Sequence, residues 1–267
     1  MLPETAWLSF AVSLYVVATV TAVLSAARNR ASYTGVLILV ALALIFHGTA
    51  IVLRWERLGH GPYVNLFEIL SSNVWSLHLA VLVGCTFIRE IRPSTALVLP
   101  VLQVLVLWLL AVSPIDSPAP VTYDTIWLAV HVWLGKVFLG CVVVAVGVSL
   151  VVLARRLRWG FERMPNDAAL ELLAYRMVLV AFIFESLMLI AGAIWAQDAW
   201  GRYWDWDPLE TWAFITWLSV VGFLHLRATR QPTPAMSAAI IVVIFVIAFS
   251  TFFGTPFVST APHKGAI

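Results

Sequence analysis

Residues Trp195–Trp217 read WAQDAWGRYWDWDPLETWAFITW and hold six of the thirteen tryptophans in this 267-residue chain. Tryptophan combines a large apolar body with an N–H group that needs a partner. Such a cluster therefore suits either a boundary between membrane and water or a surface for a flat, conjugated ligand. Six tryptophans in one loop and helix start exceed what anchoring requires, but a plain aromatic belt stays open as an alternative.

The composition around this stretch is that of a membrane protein. Hydrophobic residues make up 62% of the chain, charged residues make up 11%, and the mean hydropathy is +0.95. The apolar runs approach or exceed the roughly 20 residues that a helix needs to cross about 30 Å of hydrocarbon, whereas a barrel would show alternation. The net charge of +2 is small and scattered, which argues against nucleic acid as a partner. We predict an all-α integral membrane protein.

Eight apolar runs predict eight transmembrane helices. We place them at Ala6–Ala27, Tyr33–Leu53, Val74–Ile88, Thr95–Val112, Ile126–Leu153, Leu172–Gln197, Leu209–Leu226 and Ala235–Gly254. The first run has no basic segment before it, so we expect a retained span and not a cleaved signal. The third is short and follows Asn65, Glu68 and Asn73, which favours a re-entrant or interfacial start for that helix.

The basic residues predict the orientation of the bundle, because cytoplasmic loops are enriched in arginine and lysine. With eight spans, ten arginines fall in cytoplasmic loops: Arg28, Arg30, Arg89, Arg92, Arg155, Arg156, Arg158, Arg163, Arg227 and Arg230. Four basic residues fall outside: Arg54, Arg57, Arg202 and Lys264. We therefore expect an N-out/C-out bundle forming a single membrane domain, residues 1–267, with an external tryptophan-rich segment, residues 195–212.

The motif Asp207-Pro208-Leu209-Glu210 predicts a helix start, with Asp at the N-cap, Pro at the first helical position and Glu at N3. Capping and direct ligand contact are evenly weighted roles for Asp207 and Glu210. Before the cap, Gly201 lets the backbone turn. The positive helix end with Arg202 nearby would favour an anionic group such as a carboxylate. A flat apolar ligand with carboxylate tails fits these features.

Three segments carry a family resemblance. Residues Trp200–Trp212, WGRYWDWDPLETW, resemble the tryptophan-rich WWD signature of haem-handling proteins of cytochrome c biogenesis, closest to the CcsA/ResC group of the system II synthase. Gly61–Glu68, GPYVNLFE, resembles that group's external Asn-Leu-Phe-Glu segment, and Leu224–Arg227 resembles the end of its post-signature helix. The likeness extends over most of the chain. Leu209 stands where many members have lysine, and Ala261–Lys264 is loosely similar to the family tail.

The resemblance implies that the protein transports haem b, its bound substrate, across the membrane and presents it to apocytochrome c. The target would be the Cys-x-x-Cys-His motif, where thioether bonds form. The chain would act as the haem-presenting subunit of a cytochrome c synthase, active with a CcsB/ResB-like membrane partner, in a bacterial cytoplasmic or thylakoid membrane. The alternative is a haem exporter of the CcmC type, which loads a haem chaperone without forming thioethers. Those proteins have fewer spans.

The resemblance also assigns the iron ligands. It places an external haem between His131 and His263, and an inner haem at His225 with a second histidine from the partner. Helical rise sets His131 about 7 to 8 Å inside the outer end of its span and His225 about 26 Å down the seventh helix, so the two cannot share one iron. An interfacial role is the alternative for His225, and structural roles are expected for His60 and His78. The other residues expected to contact haem are Trp200, Arg202, Tyr203, Trp204, Trp206 and Asp207.

Two buried charges lie at nearly the same depth. Lys136 is about 15 Å below the outer end of the fifth span, and Glu185 is about 20 Å above the inner end of the sixth. Because unpaired charges at mid-membrane are costly, we predict that these two side chains pair, either to hold the fold or to face a haem path.

Overall fold

The fold, a computed structural model, describes residues 3–28, 33–158 and 160–254, and within these ranges it contains helices and no strand. Eight helices are long and apolar enough to cross a membrane. They are α1 (Pro3–Ala27), α2 (Thr34–Leu58), α3 (Leu66–Phe87), α4 (Thr95–Ala111), α5 (Ile126–Arg156), α6 (Asp167–Trp200), α7 (Pro208–Arg230) and α8 (Pro234–Phe249). This confirms the prediction of an all-helical bundle of eight spans.

Short helical turns extend two of these elements and interrupt one loop. A 3-10 turn at Arg89–Ser94 leads into α4, and a π turn at Ser250–Gly254 continues α8. A 3-10 turn at Val121–Tyr123 lies between α4 and α5. The last predicted span, Ala235–Gly254, is therefore an α-helix as far as Phe249 and a π turn from Ser250 to Gly254.

The start of helix α3 is unbroken, which contradicts a re-entrant segment, while an interfacial position for its outer half stays a prediction. The helix is continuous from Leu66, eight residues earlier than predicted, and Asn65 caps it by accepting a hydrogen bond from the Glu68 backbone N–H at 3.0 Å. The polar residues did not end the helix because each has a partner. The Glu68 carboxylate binds Arg54, and Asn73 accepts from Lys136.

Helices that follow one another in the chain run antiparallel, so the two ends of α5 lie against opposite ends of α6. His131 near the start of α5 contacts the Met188 carbonyl, while Arg155 near its end binds Asp167 at the start of α6. We call the end formed by the last turn of α6, residues 201–207 and the first turn of α7 the tryptophan end. Helix α5 packs against α3, α4, α6 and α8, so its side chains reach the middle of the bundle.

The segment Gly61–Glu68 helps to fasten the long loop between α4 and α5 to α2 and the start of α3. Arg54 on α2 donates to Glu68 at 3.0 Å and to the carbonyl of Ile115 at 2.6 Å, and Asn65 donates to the same carbonyl. Arg57 extends the network by binding Glu4 and Asp116. These bonds fix Ile115 and Asp116 of the loop against α2 and α3, and Tyr123, farther along the same loop, lies edge-on to Trp195 at 5.8 Å.

Candidate functional site

A cleft of about 230 Å³ opens at the tryptophan end. Residues from α3, α5, α6, α7 and the turn after α8 line it, together with the loops before α3, α5 and α7. Most of the lining is aromatic or aliphatic, and the aromatic members are Tyr63, Tyr123, Trp195, Tyr203, Trp204, Phe252 and Phe253. Burial raises the pKa of the Tyr123 phenol, so that hydroxyl stays neutral. The cleft is therefore suited to a flat apolar molecule with a few polar substituents.

His131 lies in the wall of the cleft, and a backbone carbonyl fixes its orientation. Its Nδ1 is 2.9 Å from the Met188 oxygen, and because a carbonyl can only accept, Nδ1 carries the hydrogen. In the neutral ring Nε2 then holds the lone pair, which is the form in which histidine binds a metal. Gly192 makes this packing possible, since a Cβ there would lie 2.7 Å from His131 Nδ1.

Trp195 is a buried wall of the cleft; the predicted tryptophan-rich segment includes it, but it was not among the residues expected to contact haem. Its indole N–H donates to the Thr122 carbonyl at 2.9 Å, and its ring lies 6.4 Å from His131 with a 23° interplanar angle. Trp200 meets Trp195 edge-on at 5.0 Å. Trp195, on α6, thus contacts both the 112–125 loop and α5. The signal in the sequence for a wall residue was its place in the tryptophan-rich stretch, within the predicted sixth helix.

The loop between α6 and α7 turns where the sequence predicted. Gly201 ends α6 with φ 78°, a conformation that glycine adopts without strain. Trp206 has φ 59°, which a bulky residue rarely adopts, and its side chain is 66% exposed. Tyr203 and Trp204 line the cleft, whereas Trp200, Arg202, Trp206 and Asp207 are not among its lining residues. The aromatic residues predicted to form one surface are therefore divided: Tyr203 and Trp204 line the cleft, and Trp200 and Trp206 do not.

Asp207 caps α7 as predicted. Its carboxylate accepts from the Glu210 backbone N–H at 2.8 Å, with Pro208 at the first helical position. Glu210 accepts from the Asp205 backbone N–H at 2.7 Å and lines the cleft. Arg202 binds Asp205 at 2.7 Å. Asp207 and Asp205 therefore already partner the helix terminus and Arg202, so an incoming carboxylate would compete with them, and the anion site at this point stays a prediction.

The predicted pairing of Lys136 with Glu185 is wrong. Lys136 Nζ donates to Ser72 Oγ at 2.9 Å and Asn73 Oδ1 at 3.3 Å, on α3. Both carboxylate oxygens of Glu185 are buried with no hydrogen-bond partner in the described chain. Equal depth fixes only the height of two residues, and the rotation of each helix about its axis decides which neighbour a side chain faces.

The other histidines within the described ranges are not among the residues that line the cleft: His47, His60, His78 and His225. Both ring nitrogens of His60 contact backbone carbonyls, those of Gly61 and Ser117. His78 is fully buried and contacts the Val74 carbonyl. His225 is exposed near the end of α7, far from the tryptophan end. His263, the second ligand expected at the cleft, lies outside the described residues.

The fold and the cleft define a multi-pass membrane protein with an aromatic, histidine-bearing cleft at one end. The chain belongs to the Cytochrome C assembly protein family, whose sequence profile matches residues 5–263. A cytochrome c biogenesis protein CcsA of Prochlorococcus marinus is 29% identical over 267 residues, covering 88% of this chain and 85% of the relative. CcsA of Parasynechococcus marenigrum is 31% identical over 251 residues, covering 81% and 82%. This is a CcsA-family protein of cytochrome c biogenesis.

Comparison with solved structures gives the same fold. A structure named cytochrome c heme lyase CcmF superposes with a TM-score of 0.74 at 20% sequence identity. The match covers 94% of this chain and 46% of that one. The likeness shows a common helical architecture, and this chain spans less than half of the larger protein.

Proposed function

We propose that the protein carries haem across the membrane and presents it to apocytochrome c for thioether attachment, as one subunit of a cytochrome c synthase. The observation that carries this proposal is the position of His131 in the wall of an aromatic cleft, with Nδ1 bound to Met188. Membership of the CcsA family supports haem as the substrate.

The residues of the cleft fit haem in three respects. His131 has the tautomer that places the iron-binding lone pair on Nε2, because its Nδ1 donates to a carbonyl. Trp195 and Trp204 offer large planar surfaces, with Tyr203 at the mouth. The Trp204 indole N–H is buried without a hydrogen-bond partner in the described residues, so it is available to a polar group of the ligand. His263 would bind the second axial position.

His225 would accept haem on the cytoplasmic side. It is seventeen residues beyond Pro208, or about 26 Å along α7, and its side chain is exposed on the bundle surface. An exposed histidine in a membrane span suits a contact with another chain, which would supply the other axial ligand. A CcsB/ResB-like membrane subunit is the partner we assign to this face.

The chemistry at the cleft would consist mainly of positioning. Haem supplies the vinyl groups and the apocytochrome supplies the thiols, while this chain holds the ring by His131 and His263 and excludes water with aromatic walls. Holding two reactants in a productive geometry can supply several kcal/mol, about 7 to 11 in favourable intramolecular cases. The whole chain, residues 1–267, acts in this account as one domain with the tryptophan end and both termini outside the cytoplasm.

Replacement of both axial histidines tests the proposal. With the partner subunit present, His131→Ala combined with His263→Ala should abolish the Soret band of the outer haem and cytochrome c maturation. His60→Gln is the matched control, because that ring contacts loop carbonyls and should leave both readouts unchanged. Full maturation and an unchanged haem spectrum in the double variant would refute the assignment.

A further inference from the structure

Lys136 is the one lysine or arginine among the described residues that line the cleft. It lies on α5 five residues beyond His131, about 7.5 Å farther from the tryptophan end, and both line the same cleft. Its ammonium donates to Ser72 Oγ at 2.9 Å and Asn73 Oδ1 at 3.3 Å. None of the ion pairs formed by the described residues involves Lys136. Within the described residues, the hydrogen-bond acceptors of the Lys136 ammonium are therefore the neutral oxygens of Ser72 and Asn73.

Ser72 and Asn73 are held so that their oxygens face this ammonium. The Ser72 hydroxyl donates to the Pro62 carbonyl at 3.0 Å, and the Asn73 amide group donates to the Ile69 carbonyl at 2.9 Å. Both side chains are buried, at 5% and 8% exposure, and both line the cleft. The three side chains form a preorganised polar site, which we call the cleft floor: Ser72, Asn73 and Lys136.

Among the described residues, the mouth of the cleft has the opposite charge. Glu210 lines the cleft, and Asp207, which is outside the lining, caps the N-terminus of the same helix, where an external anion would otherwise bind. Arg202 is 54% exposed at its side chain and bound to Asp205. A ligand with carboxylates at one edge is therefore repelled at the mouth and attracted at the floor.

We infer that the cleft floor binds the carboxylate edge of the flat ligand, with Lys136 as the charged donor. This inference rests on the proposed function and assigns the position of the haem propionates. The opposite edge of the ring, which bears the vinyl groups, then faces Tyr203 and Trp204 at the mouth. The orientation follows from charge alone and makes the reactive edge accessible to a polypeptide that approaches from the tryptophan end.

Porphyrin binding measures this contact directly. Purified protein with its partner subunit is titrated with iron protoporphyrin IX and with its dimethyl ester, which lacks both carboxylates, and the Soret band reports occupancy. A charge-assisted hydrogen bond predicts that the wild type prefers the free acid by about 10- to 100-fold. Lys136→Met should bring the two affinities near parity, and Lys136→Arg should keep the preference. Because each ratio is taken within one variant, the yield of folded protein does not affect it.

Arg156→Gln is the control, since Arg156 is exposed at the far end of the same helix and should leave the preference unchanged. An undiminished preference in Lys136→Met would overturn the inference. Equal binding of both porphyrins to the wild type would overturn it too, while leaving the proposed function intact. If neither porphyrin binds the wild type, the proposed function fails and this inference fails with it.

Discussion

The Nδ1 atom of His131 lies 2.9 Å from the carbonyl oxygen of Met188, one helix away. This bond fixes both the tautomer and the direction of the imidazole in the cleft wall. Trp195 lies roughly parallel to the same ring, and Gly192 leaves the space that the ring occupies. The position of the proposed iron ligand is thus a property of the α5–α6 interface and not of α5 alone.

A methyl group at residue 192 should disturb this interface. In Gly192→Ala the new Cβ would lie 2.7 Å from His131 Nδ1 and 2.9 Å from its Cε1, so the ring must move. Loss of a bond that orients a metal ligand predicts a fall in haem affinity of about 10- to 100-fold, measured by Soret titration. Gly35→Ala is the control, because a Cβ there meets nothing within 4 Å. Equal affinity in both variants would contradict this role for Gly192.

Two substitutions at Asp207 separate capping from ligand contact. Because its carboxylate accepts the Glu210 N–H, Asp207→Ala should cost about 1 kcal/mol of stability. Asparagine retains a capping oxygen, so Asp207→Asn should lie within a few tenths of a kcal/mol of the wild type. Thermal unfolding in detergent gives the stability, and Soret titration gives haem affinity. A strong loss of haem affinity in Asp207→Asn with unchanged stability would instead assign this carboxylate to the ligand.

The ion pair between Arg54 and Glu68 should stabilise the contact between α2, α3 and the 112–125 loop. Both side chains are buried, at 6% and 2% exposure, so Glu68→Ala leaves a buried guanidinium poorly compensated and should cost about 3 to 5 kcal/mol. Glu56→Ala, an exposed change on the same helix as Arg54, should have little effect. Joint replacement by Arg54→Met and Glu68→Leu should recover much of the loss. Thermal unfolding that is unchanged in Glu68→Ala would refute the structural role of this pair.

Acid should loosen the 112–125 loop. The hydrogen bond from Arg57 lowers the pKa of Asp116, so this contact stabilises the loop above the unfolded pKa of about 3.9 and is lost as pH falls through the lower folded value. At neutral pH, hydrogen–deuterium exchange of the backbone amides in residues 112–125 should be faster in Asp116→Asn than in the wild type. The two proteins should converge below the folded pKa. If the ratio of the exchange rates of Asp116→Asn and the wild type did not change with pH, the contact between Arg57 and Asp116 would not stabilise the loop.

Local sequence predicted the features that depend on one helix. The apolar runs predicted the eight spans, and Asp207 with Pro208 predicted the start of α7, because length and capping are written in neighbouring residues. Gly201 was likewise predicted at the turn. The predicted start of α3 was eight residues too late, because Glu68 and Asn73 find partners on α2 and α5 and so remain within the helix.

The floor of the cleft depends on several helices and could not be predicted in the same way. Lys136 was expected to face Glu185 from depth alone, yet it faces α3 because of how α5 is rotated. The polar run Ser71-Ser72-Asn73 within an apolar span was a signal that a buried donor lay opposite. Trp195 was missed as a wall residue because its partner, the Thr122 carbonyl, is a backbone group with no sequence signature.

The most direct test of the central claim is the absorption spectrum of His131→Gly, purified with its partner and titrated with imidazole. The account predicts that the variant loses the low-spin Soret band of the outer haem and that imidazole restores it by entering the vacated ligand position. A wild-type spectrum in the variant without imidazole would show that His131 does not bind the iron, and the cleft would lose its proposed function.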